Sequence, residues 1–160
     1  MAKTLPEKPE ANAEACLGFL RILVVEDNPA DAELCLRELR RAGWEVAAQV
    51  VQTAEECAQC LRAQTYDIVL ADYGLPNWSG LGALELMRAQ GTDTPVILVT
   101  GSLGDEKAVE CIKQGATDYV LKDNLVRLPL AIRHALEEKA LRAERRRAEA
   151  ERARLMTAIE

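Results

Sequence analysis

Five residues in this chain have the types and spacing to do chemistry together: Glu26, Asp27, Asp72, Thr100 and Lys122. Glu26-Asp27 follows the apolar run 21–25, Asp72 the run 67–71, Thr100 the run 95–99 and Lys122 the run 118–121. If those runs lie side by side, all five side chains converge at one edge. Three carboxylates crowded together repel one another unless a cation sits among them. Hard oxygen ligands with room left for water suit Mg²⁺. Asp72, at a buried strand end and followed by Tyr73-Gly74-Leu75-Pro76, is the carboxylate best placed to attack phosphorus and form an acyl phosphate. Phosphoryl transfer asks mainly for in-line positioning and for neutralisation of charge on three equatorial oxygens. The metal would serve one oxygen, the Lys122 ammonium a second, and the Thr100 hydroxyl with nearby backbone N–H groups a third.

The elements that must position these residues can be read from the same runs. Each is rich in Val, Ile or Leu and too continuous for a half-exposed strand, so they read as buried parallel strands. A weaker run, 45–51, mixes Ala and Gln with Val and suits an edge strand. Between the strands lie segments of helical spacing, such as Leu34, Leu36 and Leu39 before Gly43, and Leu81, Leu84 and Met87 before Gly91. Strand and helix alternate five times, which predicts a doubly wound α/β sheet in a three-layer sandwich with right-handed connections. Its ligand site belongs at the carboxyl ends of the central strands. From about Asn124 onward the chain lacks Gly and is dominated by Ala, Arg, Glu, Leu and Lys, which predicts one long helix. Leu125, Leu128, Ile132 and Leu136 give it a stripe to pack on the sheet, whereas beyond Lys139 the apolar positions thin out.

The constellation resembles the receiver domain of two-component response regulators. The resemblance covers residues 21 to about 138 and rests on Val24-Val25-Glu26-Asp27-Asn28, Leu70-Ala71-Asp72 with Pro76 and Gly80, Val99-Thr100-Gly101, and Gly115-Ala116 leading to Tyr119-Val120-Leu121-Lys122. The intervals between Asp27, Asp72, Thr100 and Lys122 are 45, 28 and 22 residues. It implies a five-stranded parallel sheet of order 2-1-3-4-5, flavodoxin-like, to which the composition adds an extended C-terminal helix. It implies Asp72 as phosphoacceptor, Thr100 and Lys122 as its catalytic partners, and Glu26, Asp27, Asp72 and the Gly74 backbone carbonyl as Mg²⁺ ligands. Thr100 and Tyr119 would form the switch, and the phosphoryl group would come from a histidine kinase or histidine phosphotransfer protein. Two departures stand out. Asp123 follows Lys122 where the family commonly has a cis-linked Pro, so a trans bond is expected, a non-proline cis bond costing about 3 kcal/mol. Gly74 replaces the larger side chain often found there and is expected to leave a phosphoaspartate short-lived.

Other readings compete. An aspartate-nucleophile phosphohydrolase would carry a second Asp two residues after the first, but position 74 is Gly. A phosphorylation-independent scaffold would be expected to have lost one of the acidic, threonine or lysine positions, and none is lost. Glu26-Asp27 alone would read as helix caps, Lys122 as a surface lysine and Tyr119 as core. Cys57 and Cys60 sit in a helical segment without the further ligands a zinc site needs. His134 reads as an ordinary helix residue and Trp78 as loop packing or a contact.

Composition sets the class. The chain has 160 residues, 49% hydrophobic and 29% charged, enough for one domain with a sizeable core. Residues 1–18 read as a flexible tail, 19–138 as the receiver-like domain and 139–160 as a helical extension. Five scattered cysteines, Cys16, Cys35, Cys57, Cys60 and Cys111, argue for reduced, structural thiols. With no apolar run of membrane-spanning length and no secretory start, the expectation is cytoplasmic, with no membrane partner. Residues 1–132 hold 12 basic and 20 acidic side chains, against 8 and 6 in 133–160, so direct nucleic-acid binding is not expected. The extension over 139–160 is similar to a signalling helix approaching a PAS sensor domain, which suggests the N-terminal receiver segment of a multidomain (hybrid) histidine kinase or related regulator. It also offers a route to a homodimer, although the heptad pattern is weak.

Overall fold

In the computed structural model of the chain, residues 17–75, 78, 80–101 and 105–159 are described. Residues 1–16 of the expected tail 1–18, with Cys16, and also Pro76 and Glu160, lie outside them, as does the side chain of Leu81. The elements run β1 (Gly18–Val25), α1 (Pro29–Arg41), β2 (Trp44–Val51), α2 (Ala54–Ala63), β3 (Ile68–Asp72), α3 (Gly80–Ala89), β4 (Val96–Thr100), α4 (Asp105–Lys113) and β5 (Asp118–Leu121). A 3₁₀ turn (Lys122–Arg127) leads into α5 (Leu128–Ile159).

The five strands form one parallel sheet in the order β2-β1-β3-β4-β5. β3 and β4 are buried at every position, as strands covered on both faces by crossover helices must be. One layer of core, including Ile22, Leu36, Leu39, Ile97, Leu128 and Ile132, lies beneath α1 and α5. The opposite layer, including Leu23, Val69, Leu98, Met87 and Cys111, lies beneath α2, α3 and α4. Burial raises the Cys35 and Cys57 thiols to about 12, so both are protonated packing groups at neutral pH. Cys60 and Cys111 are also buried and unpaired.

Local chemistry sets where the helices start. Asn28 caps α1, its side-chain oxygen accepting from the Ala30 amide at 2.9 Å, with Pro29 opening the helix. Thr53 caps α2 by accepting from the Glu56 amide at 3.2 Å. β2 starts one residue early and β3 and β4 shift by one residue, so that Asp72 and Thr100 end their strands, and two boundaries move further. β1 begins at Gly18, three residues before the apolar run, because Gly18–Arg21 pairs with Trp44–Ala47 along the edge strand. The last helix begins at Leu128, not near Asn124: Asn124 has non-helical φ and ψ of −133° and 47°. Arg127 ties off that turn by donating to the Tyr119 carbonyl at 2.6 Å and to Asp118 at 2.8 Å. The Lys122–Asp123 bond is trans, as expected.

Candidate functional site

The sheet register brings the strand ends together. Val25 pairs with Ala71, Asp72 with Val99 and Thr100 with Leu121, so the residues after β1, at the ends of β3 and β4, and after β5 share one edge. Glu26, Asp72 and Thr100 are the buried polar residues among those described. Asp27 is exposed beside them. The helix-capping reading of Glu26-Asp27 fails because Asn28 takes that role.

Oxygens of Glu26, Asp27 and Asp72 lie within 4.8 Å of one another. Lys122 reaches into this cluster, its Nζ 3.0 Å from Glu26 and 3.2 Å from Asp72. Burial pushes the Glu26 carboxyl up to about 7, against the pull of Lys122 and of the Asn28 amide. Burial disfavours the charge on Lys122, but hydrogen bonds to Asp31, Glu26 and Asp72 outweigh it and hold the ammonium above its usual pKa. A buried carboxylate this reluctant to ionise, in a set of hard oxygen donors, is what a divalent cation relieves. The residues therefore fit a magnesium ion. Both Asp72 oxygens are engaged, Oδ2 by Lys122 and Oδ1 by the Gly74 amide at 3.1 Å. That turn fixes the carboxylate plane and brings the Gly74 backbone beside it.

Tyr119 is half-buried against the layer beneath α2, α3 and α4, one strand away from Thr100. Trp78 packs on Gly82, where a Cβ would clash with its indole ring. His134 is exposed on α5 and stands apart from the site. The sequence reading missed Asp31, whose carboxylate is 2.8 Å from Lys122 Nζ, nearer than either partner at the strand ends. It lies in the first turn of α1, and its acidic type there was the signal available. Clefts of about 440 and 430 Å³ lie elsewhere, one between Trp44 and α5, the other below the α3–β4 turn. Neither is lined by the acidic cluster.

Residues 22–133 match the family described as the response regulator receiver domain. The response regulator protein FleR of Pseudomonas aeruginosa is 35% identical over 118 residues, 72% of this chain and 24% of that protein. The transcription factor SKN7 of Saccharomyces cerevisiae is 32% identical over 105 residues, 66% of this chain and 16% of that protein. The chain thus spans a quarter or less of the length of these relatives. Among solved structures, a response regulator receiver domain protein from Clostridium thermocellum superposes with a TM-score of 0.65 at 26% identity, covering 76% of this chain and 98% of that one. The beryllofluoride-activated NtrC4 receiver domain dimer superposes with a TM-score of 0.66 at 26% identity, covering 74% and 98%.

Proposed function

Because the chain belongs to the response regulator receiver family, and is thus a phosphorylatable signalling switch, we propose that Asp72 is its phosphoacceptor. The Asp72 carboxylate forms an O–P bond in line as the P–N bond of a donor phosphohistidine breaks, and the electron pair of that bond stays on the leaving imidazole nitrogen. Glu26, Asp27, Asp72 and the Gly74 carbonyl would hold Mg²⁺. When bound, the ion offsets charge on the transferring group. Lys122 donates to one equatorial oxygen. The Thr100 hydroxyl turns toward another, and Tyr119 moves into the space this opens, which changes the face built by α4, β5 and α5. The observation that carries this reading is the convergence of Glu26, Asp27, Asp72 and Lys122 at one sheet edge.

The donor would be a histidine kinase or histidine phosphotransfer protein, in accord with the family match. A cytoplasmic setting accords with buried unpaired thiols and with the absence, among the described residues, of a helix long and apolar enough to cross a membrane. The chemistry is self-phosphorylation and self-dephosphorylation rather than turnover of an external substrate. The exposed half of α5 would connect to an output unit, as in a hybrid kinase or related regulator, and offers the helix for a homodimer. The deciding experiment incubates the chain with acetyl phosphate, with and without Mg²⁺, and reads intact mass. One Mg²⁺-dependent phosphoryl group is expected on the wild type and none on Asp72→Ala. A gain that survives in Asp72→Ala would overturn the assignment.

A further inference from the structure

Lys122 Nζ has three N–H donors and meets three carboxylates, Asp31 at 2.8 Å, Glu26 at 3.0 Å and Asp72 at 3.2 Å. Two of the three belong to the cluster that fits a cation, and Asp31 does not. Glu26 and Asp72 would also have to supply oxygens to a cation held in that cluster, whereas Asp31 would stay available to the lysine. Asp31 is fixed by a rigid element, since it sits in the first turn of α1 behind Pro29 and the Asn28 cap. Lys122 itself is a flexible four-carbon stem in a partly exposed position, 22% exposed, and left untethered it would spread over many rotamers.

We propose that Asp31 is a positioning residue for phosphoryl transfer, holding the Lys122 ammonium where an equatorial oxygen of the incoming group arrives. The proposal rests on the assignment of Asp72 as phosphoacceptor. Asp31 touches neither the nucleophile nor the cation-binding cluster in hydrogen-bond terms; it acts through Lys122. Its negative charge works against an anionic donor, so its removal should lower the rate at saturating donor without raising the half-saturating concentration. That split separates positioning from binding.

The test is a double-mutant cycle on the full chain with acetyl phosphate as donor, using Asp31→Ala, Lys122→Ala and the pair. Asp31→Ala is expected to slow phosphorylation at saturating donor about tenfold, and Asp31→Asn, which keeps an acceptor oxygen, to recover part of that loss. In the Lys122→Ala background, Asp31→Ala should add nothing. A readout independent of activity is amine labelling of Lys122 in Mg²⁺ buffer, followed by peptide mass, which should rise several-fold in Asp31→Ala. Mg²⁺ affinity by calorimetry should stay unchanged. An undiminished loss on top of Lys122→Ala, or a fall in Mg²⁺ affinity, would overturn the proposal, as would a full rate in Asp31→Ala. If Asp31→Ala fails to fold, the Asp31→Asn rate and labelling decide. Phosphorylation that persists in Asp72→Ala, or a full rate in Lys122→Ala, would instead sink the underlying reading.

Discussion

Glu26 carries the clearest pH dependence in the molecule. Its carboxyl is raised from 4.5 to about 7, burial being the main cause. Between those values the folded chain keeps a proton that the unfolded chain has lost. Metal-free stability therefore falls as pH rises through that window, and levels off above it. Glu26→Gln should remove the slope and leave the metal-free protein more stable than wild type at about pH 8, read by thermal unfolding in a chelator. Mg²⁺ must displace the same proton, so its apparent affinity should weaken about tenfold per pH unit below the Glu26 pKa. A pH-independent affinity across the window would refute that. Gly74 sets a second expectation. It is exposed, its φ is not positive, and a Cβ there would meet only Asp72 Oδ1 at 3.9 Å. A larger side chain therefore fits and would shield the phosphoaspartate from water. Gly74→Arg should lengthen the phosphoaspartate half-life about fivefold, followed as loss of the added mass after donor removal; unchanged decay would count against water access at this position. The strand-end residues were legible because a parallel sheet collects the residues that follow its strands. Asp31 was not, because helix periodicity says which face it is on but not that a lysine 91 positions later reaches it.

At the scale of elements, α5 divides into two parts with different physics. Leu128 and Ile132 are fully buried in the core layer they share with α1 and the sheet, whereas Leu141 and Leu155 are 58% and 57% exposed. Leu128→Ala should cost about 2–5 kcal/mol, the range for a cavity in a packed core. Leu141→Ala should stay within about 0.5 kcal/mol. Denaturant unfolding of the two variants checks both, and a large loss at Leu141 would mean that the far half of the helix is covered in solution. The apolar stripe that fades beyond Lys139 announced this division, because burial has to be recorded in side-chain type. The start of α5 was less legible. Asn124 breaks the helix, Pro129 at the second position of α5 was the signal of the true start, and the turn between them is held by Arg127 reaching back to β5. The early start of β1 was hidden for a similar reason: Gly18 and Phe19 join the sheet through backbone pairing with Trp44 and Glu45, which leaves no apolar alternation to read.

For the molecule as a whole, the sequence implies two regions of unlike charge, which the structure links by ion pairs. Among the described residues, Arg142 and Arg146 of the far part of α5 pair with Asp93 at 3.3 and 2.5 Å. All three side chains are more than a third exposed, and exposed pairs are worth about 0–1 kcal/mol each. They orient the helix more than they stabilise the fold. Both core layers close on residues before Lys139, the last of them Leu136 on α5. A chain ending after Ala140 should therefore keep its cooperative unfolding and its Mg²⁺-dependent phosphorylation, with a rate within about twofold of the full chain, since its site residues are untouched. Circular dichroism should show the loss of about 19 helical residues and no other change. Collapse of the shortened chain would mean that the helical extension shares the fold's stability. Retention would mean that whatever the extension transmits, it transmits through the orientation set near Asp93 and the packing of Leu128 and Ile132, where α5 meets the strands that carry the site.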